Sequence, residues 1–366
     1  MAPVAGRLHR KLLLSALSTL LLLGAVEVTL RLIQPAQRPD HGIEMQPHPT
    51  RIWSLTPGQH SAYGSSFKVG ADGLRAGIAE PRGQLPRVLT LGDSSIFGHG
   101  VADGETLHDA LQRALHEQGL PAEVHCGGVP GYSILQSRLL LQEVGWALDP
   151  DVLVVGNQFS DMAPEDFPDE VVLERLASPT VRFDRLLSHL ALFRTLKAGI
   201  ASAKGVPAYA AVGWPTPQSL GAPRVPPETY LRELEGVLVE ARERGVGVVF
   251  LRLSNREDYE LGKQGGYGVL MEALAEAWSV PLVQADPVLR ASGLSAQALF
   301  LDEVHPNAAA DKLLADALVR ALADSGFPQT LPLPAAAPSR SVQVPAEGFP
   351  YSPMMESQIA PYVDGR

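Results

Sequence analysis

Residues 86–98 read Pro86-Arg87-Val88-Leu89-Thr90-Leu91-Gly92-Asp93-Ser94-Ser95-Ile96-Phe97-Gly98. RVLTL at 87–91 is a short apolar strand that stops at Gly92. Small and polar residues follow at once. Further along, 106–118 carries apolar residues at Leu107, Ala110, Leu111, Ala114 and Leu115, which is helical spacing, and Gly119 and Pro121 end it. The same alternation recurs. Strands are expected at 122–126, 151–155 (DVLVV), 247–253 (GVVFLRL) and 280–284. Helices are expected from Ser133, with Gln136 completing a capping box, and over 228–244, 267–278 and 307–323. Strands alternating with helices imply a parallel sheet covered on both faces. The expected fold is therefore α/β: a three-layer α/β/α, doubly wound, flavodoxin-like domain around a five-stranded parallel sheet.

This domain spans 86–327, with an insertion at 162–225 that contains a helical stretch at 183–203. Ahead of it, 34–85 is rich in Pro, Gly, His and Ser, and reads as a linker with a β-rich lead-in. Behind it, 328–366 is Pro/Ala/Ser-rich without periodicity, the composition of a disordered or loosely attached tail. At the start, Arg7, Arg10 and Lys11 precede an apolar run from Leu12 to Ile33, broken late by Glu27 and Arg31. A basic flank before such a run reads as a signal anchor, with the rest of the chain outside the cytoplasm. Crossing hydrocarbon takes roughly 20 residues, so the run 12–33 suffices if Glu27 and Arg31 lie near the far interface. Their i,i+4 spacing lets them pair.

Composition narrows the function. Hydrophobic residues at 45% and charged residues at 19% rule out wholesale disorder. Lys+Arg 30 against Asp+Glu 40 gives a net charge of −10, which argues against a nucleic-acid groove. With 1 Cys there is no internal disulfide and no Cys-built zinc site. No metal ligand set or cofactor motif appears, and the Gly-rich turns lack G-x-G-x-x-G or a P-loop Lys.

Sites in open parallel sheets form beyond the C-terminal strand ends. There stand Asp93-Ser94, then Gly127-Gly128, then Asn157 to Asp161, and finally Asp302 to His305 before the last helix. Ser94 is a nucleophile candidate, His305 the base that takes its proton, and Asp302 the group that orients the imidazole. The backbone N–H groups of Ser94 and Gly128 can face a developing oxyanion. Singly, each has a bland reading. Asp93 and Ser94 could be helix caps, Asp302 and His305 an ion pair, and the glycines plain turns. Together they would be four coincidences at one sheet edge. His99 and His125 read as loop or strand-end residues, and Cys126 as a small buried side chain.

These blocks resemble the GDSL/SGNH hydrolase superfamily of esterases, lipases and carbohydrate O-acyl hydrolases or transferases. Gly92, Asp93, Ser94 and Gly98 match G-D-S-x-x-x-G, Gly128 matches the second block, and Asp302 with His305 match D-x-x-H. The lead-in GADGLR at 70–75 resembles membrane-anchored bacterial members. The third block, Gly-x-Asn-Asp, departs from the pattern: ungapped spacing places its Asn on Ser160 and its Asp on Asp161, while Asn157 lies three residues earlier. The resemblance implies a Ser-His-Asp hydrolase of ester bonds with an acyl-ester substrate, a third oxyanion donor from Asn157 or Ser160, and no cofactor or metal. An acyltransferase with the same triad and a non-catalytic envelope protein that binds glycan or a partner are the alternatives.

Overall fold

In a computed structural model the described residues are 3–33, 42–77, 85–204, 222–262 and 266–329, with 333, 342 and 344. The chain divides into two compact units, one of Met1–Arg38 with Arg175–Pro217 and one of Pro39–Glu174 with Gln218–Arg366.

The larger unit begins with two antiparallel hairpins, β1 (Met45–His48) with β2 (Ile52–Leu55) and β3 (Gly58–Ala62) with β4 (Ser65–Val69). Five parallel strands follow: β5 (Arg87–Gly92), β6 (Glu123–Gly128), β7 (Val152–Gly156), β8 (Gly247–Arg252) and β9 (Leu282–Gln284). Their spatial order is β6-β5-β7-β8-β9. Renumbered within the sheet this is 2-1-3-4-5, the flavodoxin-like order expected for the chain. The order reverses at β5, so the ends of β5, β6 and β7 meet at the switch point.

Period-two alternation assigns each strand residue to a layer. Leu89, Leu91, Leu153, Val155, Val248 and Phe250 belong to a core closed by the helices Ile134–Glu143, Pro227–Arg244 and Tyr267–Trp278 and by the hairpins, through Leu55, Phe67 and Val69. Val88, Val152, Val154, Val249, Leu251 and Val283 belong to the opposite core, under the helices Leu107–Glu117, Ala285–Ala291 and Ala308–Asp324. Thr106 caps the first of these by accepting from Asp109 N–H. Gln136 accepts the Ser133 N–H at 3.1 Å, as the capping pattern anticipates. Most of 328–366 lies outside the described residues; Leu333, Val342 and Val344 pack against the first core.

The smaller unit holds the N-terminal helix Pro3–Ile33, of which Arg10–Ile33 has mean hydropathy 2.0 and none of its most apolar window buried. It also holds Pro179–Ser188 and Ala191–Lys204. The single helical stretch expected at 183–203 is thus broken, and a further helix, Asp169–Ala177, precedes it. The break between Asp169–Ala177 and Pro179–Ser188, ahead of the expected stretch, has a local cause: Ser178 caps with its hydroxyl and Pro179 sits in the first turn, where its missing N–H costs nothing.

Candidate active site

The nucleophile candidate stands where β5 turns into a four-residue helix, Ser94–Phe97. Asp93 is its N-cap: one carboxylate oxygen accepts the Ser95 N–H at 3.0 Å, the other the Ser160 N–H at 3.1 Å. Asp93 is fully buried, and that burial raises its carboxyl above the ordinary range against the opposing N–H groups of Ser95 and Ser160. Asp161 does the matching job one strand over, accepting the Ile134 N–H at 2.7 Å. Residues 160 and 161 therefore tie the end of β7 to the turns after β5 and β6.

Two glycines are required by close approach. A Cβ on Gly128 would lie 2.5 Å from the Phe97 nitrogen and 2.7 Å from the Ile96 carbonyl carbon, both backbone atoms that cannot swing aside. Gly98 ends the short helix at φ 79°, in the left-handed region.

His305 reaches the same edge from the loop before the last helix. Its Nε2 lies 2.8 Å from Ser94 Oγ, and its Nδ1 lies 2.7 Å from Asp302 Oδ2. Asp302 Oδ1 accepts two backbone N–H groups, from Val304 at 2.9 Å and from His305 at 2.8 Å. Partial burial alone would push the Asp302 carboxyl up. The hydrogen bond and charge of His305, with the N–H groups of Val304 and His305, outweigh it and hold the carboxyl at about 2. Ser94 is half-buried and so stays within reach of a substrate, whereas His305 is buried. A hydroxyl placed this way can pass its proton to Nε2 as it attacks a carbonyl, while Asp302 keeps the remaining proton on Nδ1.

The two side chains considered as third oxyanion donor differ in surroundings. Asn157 is fully buried; its Nδ2 lies 3.4 Å from the Tyr132 carbonyl, and Tyr230 Oη donates to the Asn157 carbonyl at 2.7 Å. Ser160 is held at its backbone by Asp93, the neighbour of Ser94.

Three residues carry parts of this site that the sequence reading did not assign. Arg75, with a side chain of zero exposure, donates to the carbonyls of Phe97 at 2.9 Å, Gly98 at 2.7 Å and Val101 at 2.7 Å, and pairs with Asp103 at 3.0 Å. It clamps the loop that leaves the nucleophile turn. The signal was the GADGLR segment, whose Arg is this residue. His99 stacks on His305 with ring centroids 4.2 Å apart, and Tyr63 from the β3–β4 turn packs on His99 at 4.0 Å. A cleft of about 330 Å³ lined by Ser65, Gly100, Leu301 and Asn307 opens among the neighbours of these residues. Cys126 is buried, its thiol pushed up to about 11 by burial, so it is no nucleophile. Among the described residues no group of three or more His, Cys, Asp and Glu side chains is placed to hold a metal ion.

No family model matches the chain, and no curated protein matches it either. Solved structures similar to it include an acetyl xylan esterase, at 14% identity and TM-score 0.42 over 64% of this chain and 99% of that one. Another is a protein from Desulfitobacterium hafniense assigned to the lipolytic G-D-S-L family, at 13% identity and TM-score 0.39 over 64% and 99%. A third is an acetylxylan esterase from Geobacillus stearothermophilus, at 15% identity and TM-score 0.41 over 66% and 94%.

Proposed function

We propose that the protein is a serine hydrolase of ester bonds, of the SGNH/GDSL type, anchored in a membrane by its N-terminal helix with the α/β domain outside the cytoplasm. The observation that carries this reading is the continuous relay Asp302–His305–Ser94, with contacts of 2.7 and 2.8 Å at the C-terminal edge of a parallel sheet. Ser94 Oγ attacks the ester carbonyl and His305 Nε2 takes its proton. The tetrahedral oxyanion is met by the backbone N–H of Ser94 at the nucleophile turn. Collapse expels the alcohol, which leaves with the proton from His305, and Ser94 is acylated. Water then repeats the sequence and releases the acid. A carbohydrate hydroxyl arriving in place of water would make the same site an O-acyltransferase.

The apolar, unburied run Arg10–Ile33 supports the anchor, and the basic residues ahead of it support its orientation. Purified protein should turn over p-nitrophenyl acetate, and Ser94→Ala should abolish turnover. If neither protein hydrolyses any short ester, the fold serves as a binding scaffold instead.

A further inference from the structure

The smaller unit is built inside out for a water-facing helical pair. Between Pro179–Ser188 and Ala191–Lys204 one charged pair turns inward: Lys197 Nζ pairs with Asp184 at 2.8 Å, each side chain only one quarter exposed. Four large apolar side chains turn outward. Phe183 is 62% exposed, Leu186 65%, Leu196 56% and Ile200 52%. Phe183 and Leu186 are spaced i,i+3 and Leu196 and Ile200 i,i+4, so each pair makes a stripe on one helix face. Apolar stripes of this kind mark a surface that meets something other than water.

The N-terminal helix says what that is. Glu27 uses both carboxylate oxygens on the second helix of the pair, accepting the N–H groups of Ala191 and Leu192 at 2.9 Å each. Arg31 pairs with Glu27 at 2.6 Å and donates to the His189 carbonyl at 2.8 Å. The turn between the two helices is thereby stitched to one level of the N-terminal helix. At a rise of about 1.5 Å per residue, Glu27 lies about 22 Å and Arg31 about 28 Å beyond Leu12, against a hydrocarbon layer about 30 Å thick. The stitch therefore falls in about the last third of the hydrocarbon layer, next to its far boundary. It also satisfies a carboxylate that would otherwise be costly at that depth.

We propose that Pro179–Ser188 and Ala191–Lys204 form a membrane-surface element that lies in the boundary between lipid headgroups and hydrocarbon beside the anchor, its outward stripes occupied by lipid. The occupant is lipid because Glu27 and Arg31 tie this helix pair to a helix already long and apolar enough to enter the bilayer. This rests on the anchor reading above, and goes beyond it by assigning a second lipid contact to the insertion.

The test uses full-length protein in phosphatidylcholine–phosphatidylglycerol vesicles, with an environment-sensitive fluorophore on Phe183→Cys, Leu196→Cys or Leu20→Cys. Buried Cys126 stays unlabelled, and retained turnover of p-nitrophenyl acetate certifies each variant as folded. Brominated acyl chains supply quenchers at chosen depths. The labels at 183 and 196 should lose most of their emission to bromines near the carbonyl end of the chain, and the label at 20 to bromines near the bilayer centre. Quenching at 20 without quenching at 183 and 196 leaves the anchor standing and overturns the surface element. No quenching at 20 overturns the anchor and this inference with it. Labels at 183 and 196 that ignore the bromines but self-quench as copies per vesicle increase assign the face to a second copy and overturn the lipid assignment.

Discussion

Replacing Asp302 by Asn tests the relay through a choice that the surrounding backbone makes. Asp302 offers Oδ1 to two backbone N–H groups, those of Val304 and His305, and Oδ2 to His305 Nδ1. An Asn has one oxygen for these two tasks. With its oxygen toward Nδ1, its NH₂ faces two N–H donors and leaves both unsatisfied. Each such donor costs about 1–3 kcal/mol, so this orientation is disfavoured by about 2–6 kcal/mol. With its oxygen toward the backbone, its NH₂ faces Nδ1 and fixes the proton on Nε2. That imidazole cannot accept the Ser94 proton. The productive orientation is therefore rare, and at about 1.4 kcal/mol per tenfold kcat should fall by about 30-fold to 10⁴-fold. KM for p-nitrophenyl acetate should hold and the protein should remain folded, because Asp302 is more than a third exposed at its side chain. Asp302→Ala removes the acceptor without imposing the wrong tautomer, so it should lose less than Asn. An Asp302→Asn protein retaining a third or more of wild-type kcat would refute the assignment of His305 as base held by Asp302.

Ser94→Ala and His305→Ala should each lower kcat by about 10³-fold or more, and the double variant should lose little beyond either, because the residues act as a unit; additive losses in steady-state assays would contradict this. Of the two candidate oxyanion side chains, Ser160 spends its one hydroxyl proton on Asp93, so Ser160→Ala should leave kcat for p-nitrophenyl acetate near wild type. Asn157→Ala should cost about 1 kcal/mol of stability in denaturant melts, since it removes the donor to the Tyr132 carbonyl. Arg75→Met should destabilise the fold by about 3–5 kcal/mol, since it strips Asp103 and three buried carbonyls of their partner; an unchanged urea midpoint would remove the clamp assigned to Arg75. Burial first, then the charges of Glu257 and Asp286, raise Asp258 from 3.8 to about 6. A raised carboxyl favours the folded state while protonated, and that contribution fades as pH climbs from about 4 through about 6. Asp258→Asn should thus raise Tm at pH 8 and leave it nearly unchanged at pH 3.5.

The sheet was legible because its strands are short apolar runs, three of the five closed by glycine, with helices of clear period between them. Strand ends shifted by a residue or two, as at β6, which runs on to Gly128. Ser94 could be picked out because it stands at a strand end, and Asp302 and His305 because they stand together just before the last helix; the structure brings the three together. What stayed hidden is non-local. Arg75 finds its carbonyls more than twenty residues along the chain, and nothing around position 75 specifies them. The Tyr63–His99–His305 stack joins three separate segments, so His99 read as an ordinary loop residue. The break at 189–190 within the expected 183–203 helix is capped by Glu27, some 160 residues away, which accepts from Ala191 and Leu192. In the third block, spacing favoured Ser160 and chemistry favoured Asn157. Only coordinates could show that the Asn157 amide lies against Tyr132.

The central claim, that Ser94 is a nucleophile activated by His305, is tested most directly by covalent labelling. The full-length protein is treated with a fluorophosphonate, digested, and its peptides mapped by mass spectrometry. The account predicts a single phosphonylated residue, Ser94, with labelling lost in Ser94→Ala and strongly slowed in His305→Ala. Labelling at any other residue, or a Ser94 that stays unmodified in folded protein, would contradict it.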